Sequence, residues 1–89
     1  MSKVEWPQTV VDTLTRLWLQ ADSNLRKVIT KACYAIEKRL ANDPENEGES
    51  RPDGRRITFE PPLVLVFRVE ADRRAVTVLD VRLMRLRSK

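Results

Sequence analysis

Histidine is absent from the 89 residues, and cysteine occurs once, as Cys33. The first absence removes zinc sites built on imidazole and every catalytic dyad or triad with an imidazole base. The second removes an intrachain disulfide and any metal site built on paired cysteines. An enzyme made from this chain must move protons with Glu, Asp, Lys, Tyr or Arg. Glycine is scarce too: Gly48 and Gly54 both fall in one polar segment. No apolar run approaches the roughly 20 residues that span a bilayer. The start, MSKVEWPQTV, lacks the apolar core of a secretory signal. The expectation is a cytoplasmic protein with no membrane partner, no metal and no cofactor.

What is present is charge, unevenly placed. Residues 1–50 carry 7 Lys/Arg against 8 Asp/Glu, a net of −1; residues 51–89 carry 10 against 5, a net of +5. Nine of those ten cations are arginine. Arginine favours planar, bidentate contact with phosphate and carboxylate, where lysine acts more as a point charge. In a chain whose pI is near 9.7, this arginine-rich half points toward nucleic acid or an acidic protein partner. The alternative is solvated strand edges, where charge opposes edge-to-edge aggregation.

The length suits a single domain over residues 1–89, since two would each be too short to bury a self-sufficient core. Val4 and Trp6 alternate with Lys3 and Glu5, which suits a short first strand or arm ending at Pro7, with Trp6 closing one end of the core. Val10, Val11, Leu14, Leu17, Trp18 and Ala21 form a helical stripe over about 8–21. Asp22-Ser23-Asn24 interrupts it and offers N-caps for a second helix over about 23–41. Leu25, Val28, Ile29, Ala32, Ile36 and Leu40 are its apolar stripe, with Lys27, Lys31, Lys38 and Arg39 pointing away. Cys33 reads as a small, partly buried hydrophobe, and Tyr34 as a packing residue at the stripe's boundary. So short a link favours an antiparallel helical hairpin.

The second helix must stop by Pro44, and residues 42–54, NDPENEGESRPDG, read as a polar loop rich in turn formers. Strands are expected over about 55–60, 63–69 and 75–83. Pro61-Pro62 marks a strand end or turn, and the apolar run from Leu63 reads as a central strand. In the last strand Val76 and Val78 are assigned to one face, with Leu79, Val81 and Leu83 at alternate positions. The tail MRLRSK is basic and expected to fray. The layout is α+β: an N-terminal helical hairpin packed on one face of a small, curled, mostly antiparallel sheet, with room for a short N-terminal strand.

This order of elements, together with several local marks, resembles the small toxins of the RelE/ParE superfamily, from type II toxin–antitoxin modules of the plasmid-stabilisation kind. The marks are Asp43-Pro44 after the second helix, Gly48-Glu49-Ser50-Arg51, and Gly54-Arg55-Arg56 leading into a strand. VFRV at Val66–Val69 and VTVLDV at Val76–Val81 match the paired inner strands. The resemblance covers nearly the whole chain and implies a cognate antitoxin that holds the toxin inactive. It leaves the target open, because RelE-like members cut messenger RNA on the ribosome, whereas ParE-like members inhibit DNA gyrase without a nuclease site.

Metal-independent RNA cleavage needs a base for the 2′-OH, a cation beside the phosphate and an acid for the leaving 5′ oxygen. Glu49 is the nearest base, with Arg51 and Arg56 as the companion catalytic candidates. Arg55, Arg68, Arg82, Arg85 and Arg87 are the candidate nucleic-acid-binding residues. Many RelE-like nucleases carry a histidine or tyrosine near the C-terminus, where this chain has Met84-Arg85-Leu86-Arg87. A binding or inhibitory role therefore fits these residues better than a complete active site, and among toxins a RelE-like member with a basic RNA- and ribosome-binding face is favoured over a ParE-like gyrase inhibitor. A non-toxic adaptor with the same fold, pairing its arginines with an acidic partner, is the remaining reading, and a homodimer through an open sheet edge is compatible with all three.

Overall fold

The computed structural model describes residues 1–84. Its elements in order are β1 (Lys3–Glu5), α1 (Gln8–Gln20), α2 (Ser23–Asn42), β2 (Glu49–Arg51), β3 (Arg55–Glu60), β4 (Leu63–Glu70) and β5 (Ala75–Leu83). They form two helices on one face of a five-stranded sheet of order β1-β5-β4-β3-β2. β1 runs parallel to β5, and every other neighbouring pair is antiparallel.

Among the candidate caps the hairpin uses Asp22, whose carboxylate accepts from the Leu25 amide at 2.8 Å. Arg26 then closes the end of α1, its guanidinium donating to the carbonyls of Trp18 (2.9 Å) and Leu19 (3.0 Å) while lying 4.5 Å from the Trp18 ring centre. Cations at a helix C-terminus satisfy otherwise orphaned carbonyls. Ile29, Ala32, Ile36 and Leu40 bury the inner stripe of α2. Val28 does not join it; this residue lies on the flank and is nearly half exposed. Tyr34 is also misplaced by the sequence reading, since 76% of it is exposed.

The helices cover Leu63, Leu65 and Phe67 of β4 and Val76, Val78 and Val81 of β5, all fully buried or nearly so. Val76, Val78 and Val81 share this face because the ladder slips. Val66 pairs with Asp80 but Phe67 pairs with Val78, so Leu79 is an extra residue with no partner on β4. The bulge reverses the phase of alternation. It corrects the assignment of Val81 and Leu83 to the other face. Trp6 packs at the core's edge, and its indole N–H donates to Glu37 at 2.8 Å.

A second correction concerns residues 42–54, expected to be loop throughout. Glu49–Arg51 forms an edge strand there, pairing antiparallel with β3 through Glu49–Ile57, Ser50–Arg56 and Arg51–Arg55. Among the described residues no helix is long and apolar enough to cross a membrane.

Candidate functional site

The register of the sheet decides which arginines meet. On the face away from the helices, one row crosses all five strands: Glu5, Thr77, Arg68, Arg55 and Arg51, each opposite the next. The adjacent row is Asp80, Val66, Ile57 and Glu49, and the one beyond it Arg82, Val64 and Phe59. Three cationic residues therefore stand side by side on β4, β3 and β2. Like charges directly opposite one another destabilise a sheet, so this row needs anions.

The molecule supplies a few. Glu49 lies 3.2 Å from Nη1 of Arg51, and Asp53 lies 3.7 Å from Nη2 of Arg55. Asp53 has a φ of 66°, the left-handed region that aspartate tolerates, and its carbonyl accepts from Nη2 of Arg68 at 3.0 Å. Between these groups lies a depression of about 360 Å³ lined by Arg51, Pro52, Asp53, Arg55, Ile57 and Val66. Cationic walls over an apolar floor suit a phosphate with an attached sugar or base.

Of the sequence candidates, Glu49, Arg51, Arg55 and Arg68 come together here. Arg82 shares the face but stands at the far end of β5, with Nε held 2.8 Å from Asp80. Arg56 is on the opposite face. Its guanidinium donates to the carbonyls of Glu47 (2.9 Å) and Gly48 (3.2 Å) and to the Ser50 hydroxyl (2.9 Å). It ties down the backbone leading into β2. Arg85 and Arg87 lie outside the described residues.

Neither a protein-family model nor a curated sequence matches the chain. Solved structures do. The toxin–antitoxin complex RelBE2 from Mycobacterium tuberculosis superposes with a TM-score of 0.73 at 15% identity, over 92% of this chain and 90% of that one. The isolated E. coli RelE toxin gives 0.61 at 15% identity, over 100% of this chain and 89% of that one. The chromosomal ParDE system from P. aeruginosa gives 0.58 at 16% identity, over 96% and 98%. The fold is that of the RelE/ParE toxins.

Within this RelE/ParE fold, sequence reasoning missed the side chain that braces the site from behind. Arg39, expected to point into solvent, reaches from α2 to the sheet. It donates to Glu47 (2.7 Å), to Thr58 (3.1 Å) and to Glu60. Thr58 is only 3% exposed. The hydrogen bond to Glu47 holds the Arg39 guanidinium further above its usual range, against the opposing effect of burial. Arg39→Met should leave two half-buried carboxylates and a buried hydroxyl without their cation. Removing one partner of a buried pair costs about 3–5 kcal/mol. Partial exposure lowers the expected loss to about 2–3 kcal/mol, read from urea unfolding. An unchanged midpoint would remove Arg39 from the brace.

At the other end of the arginine row a second cluster joins β1, β4 and β5. Glu70 accepts from the Thr77 hydroxyl at 2.7 Å and from Arg73 at 2.6 Å, and Arg73 also reaches Glu5 at 2.9 Å. The Thr77 hydrogen bond, then Arg73, holds the Glu70 carboxyl below its ordinary value of 4.5. The ionised form is thus favoured by folding. Its contribution is present above the ordinary value and is lost as pH falls through the depressed one. Thermal melts from about pH 6 down to about pH 3 should show less acid loss in Thr77→Val than in the parent chain.

Proposed function

We propose that the chain is the toxin of a type II toxin–antitoxin module and acts on RNA through the sheet face away from the helices. The observation that carries this reading is the row Arg51, Arg55 and Arg68 on three adjacent strands, with Glu49 beside it. A row of cations that repel one another is relieved by a polyanion, and a phosphodiester chain is the anion whose charges recur along a line.

The same residues support strand cleavage. Glu49 takes the 2′-OH proton; the 2′ oxygen bonds to phosphorus while the bond to the 5′ oxygen breaks. Arg51 and Arg55 hold the charge that gathers on the phosphoryl oxygens, and water returns a proton to the leaving 5′ oxygen. The products are a 2′,3′-cyclic phosphate and a 5′-hydroxyl end. Arg56 acts indirectly, by positioning β2. The ribosome is the proposed setting, since it presents messenger RNA as an ordered single strand.

A cognate antitoxin is the second partner. The hairpin offers it an apolar groove of about 310 Å³ between Leu14, Trp18, Ile29, Cys33 and Tyr34. Among the described residues β1 and β2 are edge strands with one neighbour each, and the mass of the purified chain in solution tests for a homodimer through them.

The test is tightly controlled expression followed by mapping of new 5′-hydroxyl ends on ribosome-bound messenger RNA. Growth arrest with cuts at fixed codon positions, abolished in an Arg51→Ala, Arg55→Ala double variant that still folds, is the expected outcome. Arrest without cuts would overturn the RNA reading in favour of gyrase. Absence of arrest would leave a non-toxic adaptor.

A further inference from the structure

The arginine row and Glu49 leave the other half of the sheet face away from the helices unexplained. Phe59 stands there on β3, 50% exposed. Val64 of β4 is its partner in register, and Arg82 of β5 is the partner of Val64. Arg82 is anchored through Nε to Asp80 with 78% of its side chain in solvent. Ile57 and Val66 continue the apolar surface from Phe59 back to Arg55 and Arg68. An aromatic ring is thus framed by cations on two sides and joined to both by an apolar floor.

We infer that Phe59 is a stacking platform for a nucleobase of single-stranded RNA, with the flanking phosphates taken by Arg55 on one side and Arg82 on the other. The inference rests on the RNA reading above and assigns that site a base-binding residue. Two physical points favour this occupant. A nucleobase offers a π face to the ring and carries a phosphate on each side, matching cations placed on both sides of one aromatic. An acidic peptide would satisfy the arginines but leave Phe59 without a flat partner. Stacking is tolerant of base identity because every base has such a face, so this contact adds affinity rather than reading sequence.

The experiment uses the whole chain made by cell-free synthesis and a labelled hexaribonucleotide with 2′-O-methyl sugars, which cannot be cleaved. A backbone of the same length lacking every base serves as the second ligand. Fluorescence anisotropy should show Phe59→Leu binding the RNA about 5- to 100-fold more weakly, with Phe59→Tyr close to the parent. The abasic strand should bind the parent and Phe59→Leu equally. Arg55→Ala should weaken both ligands and lower the salt dependence. Full RNA affinity in Phe59→Leu, with Arg55→Ala still weakened, would overturn the stacking role and leave the RNA reading intact. No affinity for either strand, even at low salt, would overturn both.

Discussion

Changing Glu49 to glutamine is expected to slow cleavage by about 10²- to 10⁴-fold while RNA affinity stays level or rises. The two readouts separate because the carboxylate serves the proposed chemistry and opposes binding. As the base it accepts the 2′-OH proton, a task the amide cannot perform. As a charge beside a phosphate it is repulsive, so its neutralisation favours association. The loss amounts to roughly 3–5 kcal/mol of barrier. The geometry suits the role: Glu49 is 74% exposed, on the same face as Arg51, and 3.2 Å from its guanidinium. Single-turnover cleavage of ribosome-bound RNA, with binding measured separately, decides the matter. A parallel fall in rate and affinity would mark Glu49 as a positioning residue instead, and an unchanged rate would remove it from the chemistry.

That Glu49 lies on a strand at all was not legible in the sequence. Both helices and β3, β4 and β5 declare themselves by period, because each buries a stripe or a face and its apolar residues recur accordingly. β2 buries nothing: Glu49, Ser50 and Arg51 are all exposed. Its pairing depends on Arg56 gripping the preceding backbone and on the bare Cα of Gly48 approaching β3, neither of which leaves a periodic trace. The Leu79 bulge is hidden for a related reason, since VTVLDVRL can be read with either phase after Val78. Arg39 follows the same logic. Nothing local in α2 reveals that Glu47, beyond the helix end, and Glu60, on β3, gather opposite it.

The candidate site was legible as an inventory and illegible as an arrangement. Arginines 51, 55, 56, 68 and 82 stand out by composition. Which of them meet is a matter of register, set by the turn at Pro61-Pro62 that pairs Glu60 with Leu63 and hence Arg55 with Arg68. One step of alternation sends Arg56 to the other face, from site to scaffold. Phe59 falls within the strand expected over about 55–60, and nothing in the sequence sets it apart there. Its exposure appears once both helices are committed to the opposite face.

Gly48→Ala is expected to detach β2 from the sheet and abolish the proposed cleavage while the core persists. Gly48 has a φ of +67°, and a Cβ there would fall 2.0 Å from the Ile57 carbonyl oxygen, 2.8 Å from its carbon and 2.9 Å from the Thr58 Cβ. The obstructing atoms are mainly backbone, on a strand held from its other side by β4, so they cannot move aside as a flexible side chain would. Overpacking of about 1–3 kcal/mol adds to left-handed strain of about 1 kcal/mol, for roughly 2–4 kcal/mol. A domain of this size has roughly 5–13 kcal/mol in total. Releasing three exposed residues of edge strand is the cheaper escape, and it carries Glu49 and Arg51 out of register with Arg55. Amide exchange should therefore rise in residues 49–51 and in the facing amides of β3, with Phe67 and its neighbours still protected. Gly54→Ala supplies the control. Gly54 has a φ of +72°, yet nothing lies within 4 Å of an added Cβ, so it carries the backbone strain without the collision. Equal losses in the two variants would mean that φ alone matters. A larger loss at Gly48, confined to β2 and activity, would show that close approach to Ile57 holds the candidate base in place.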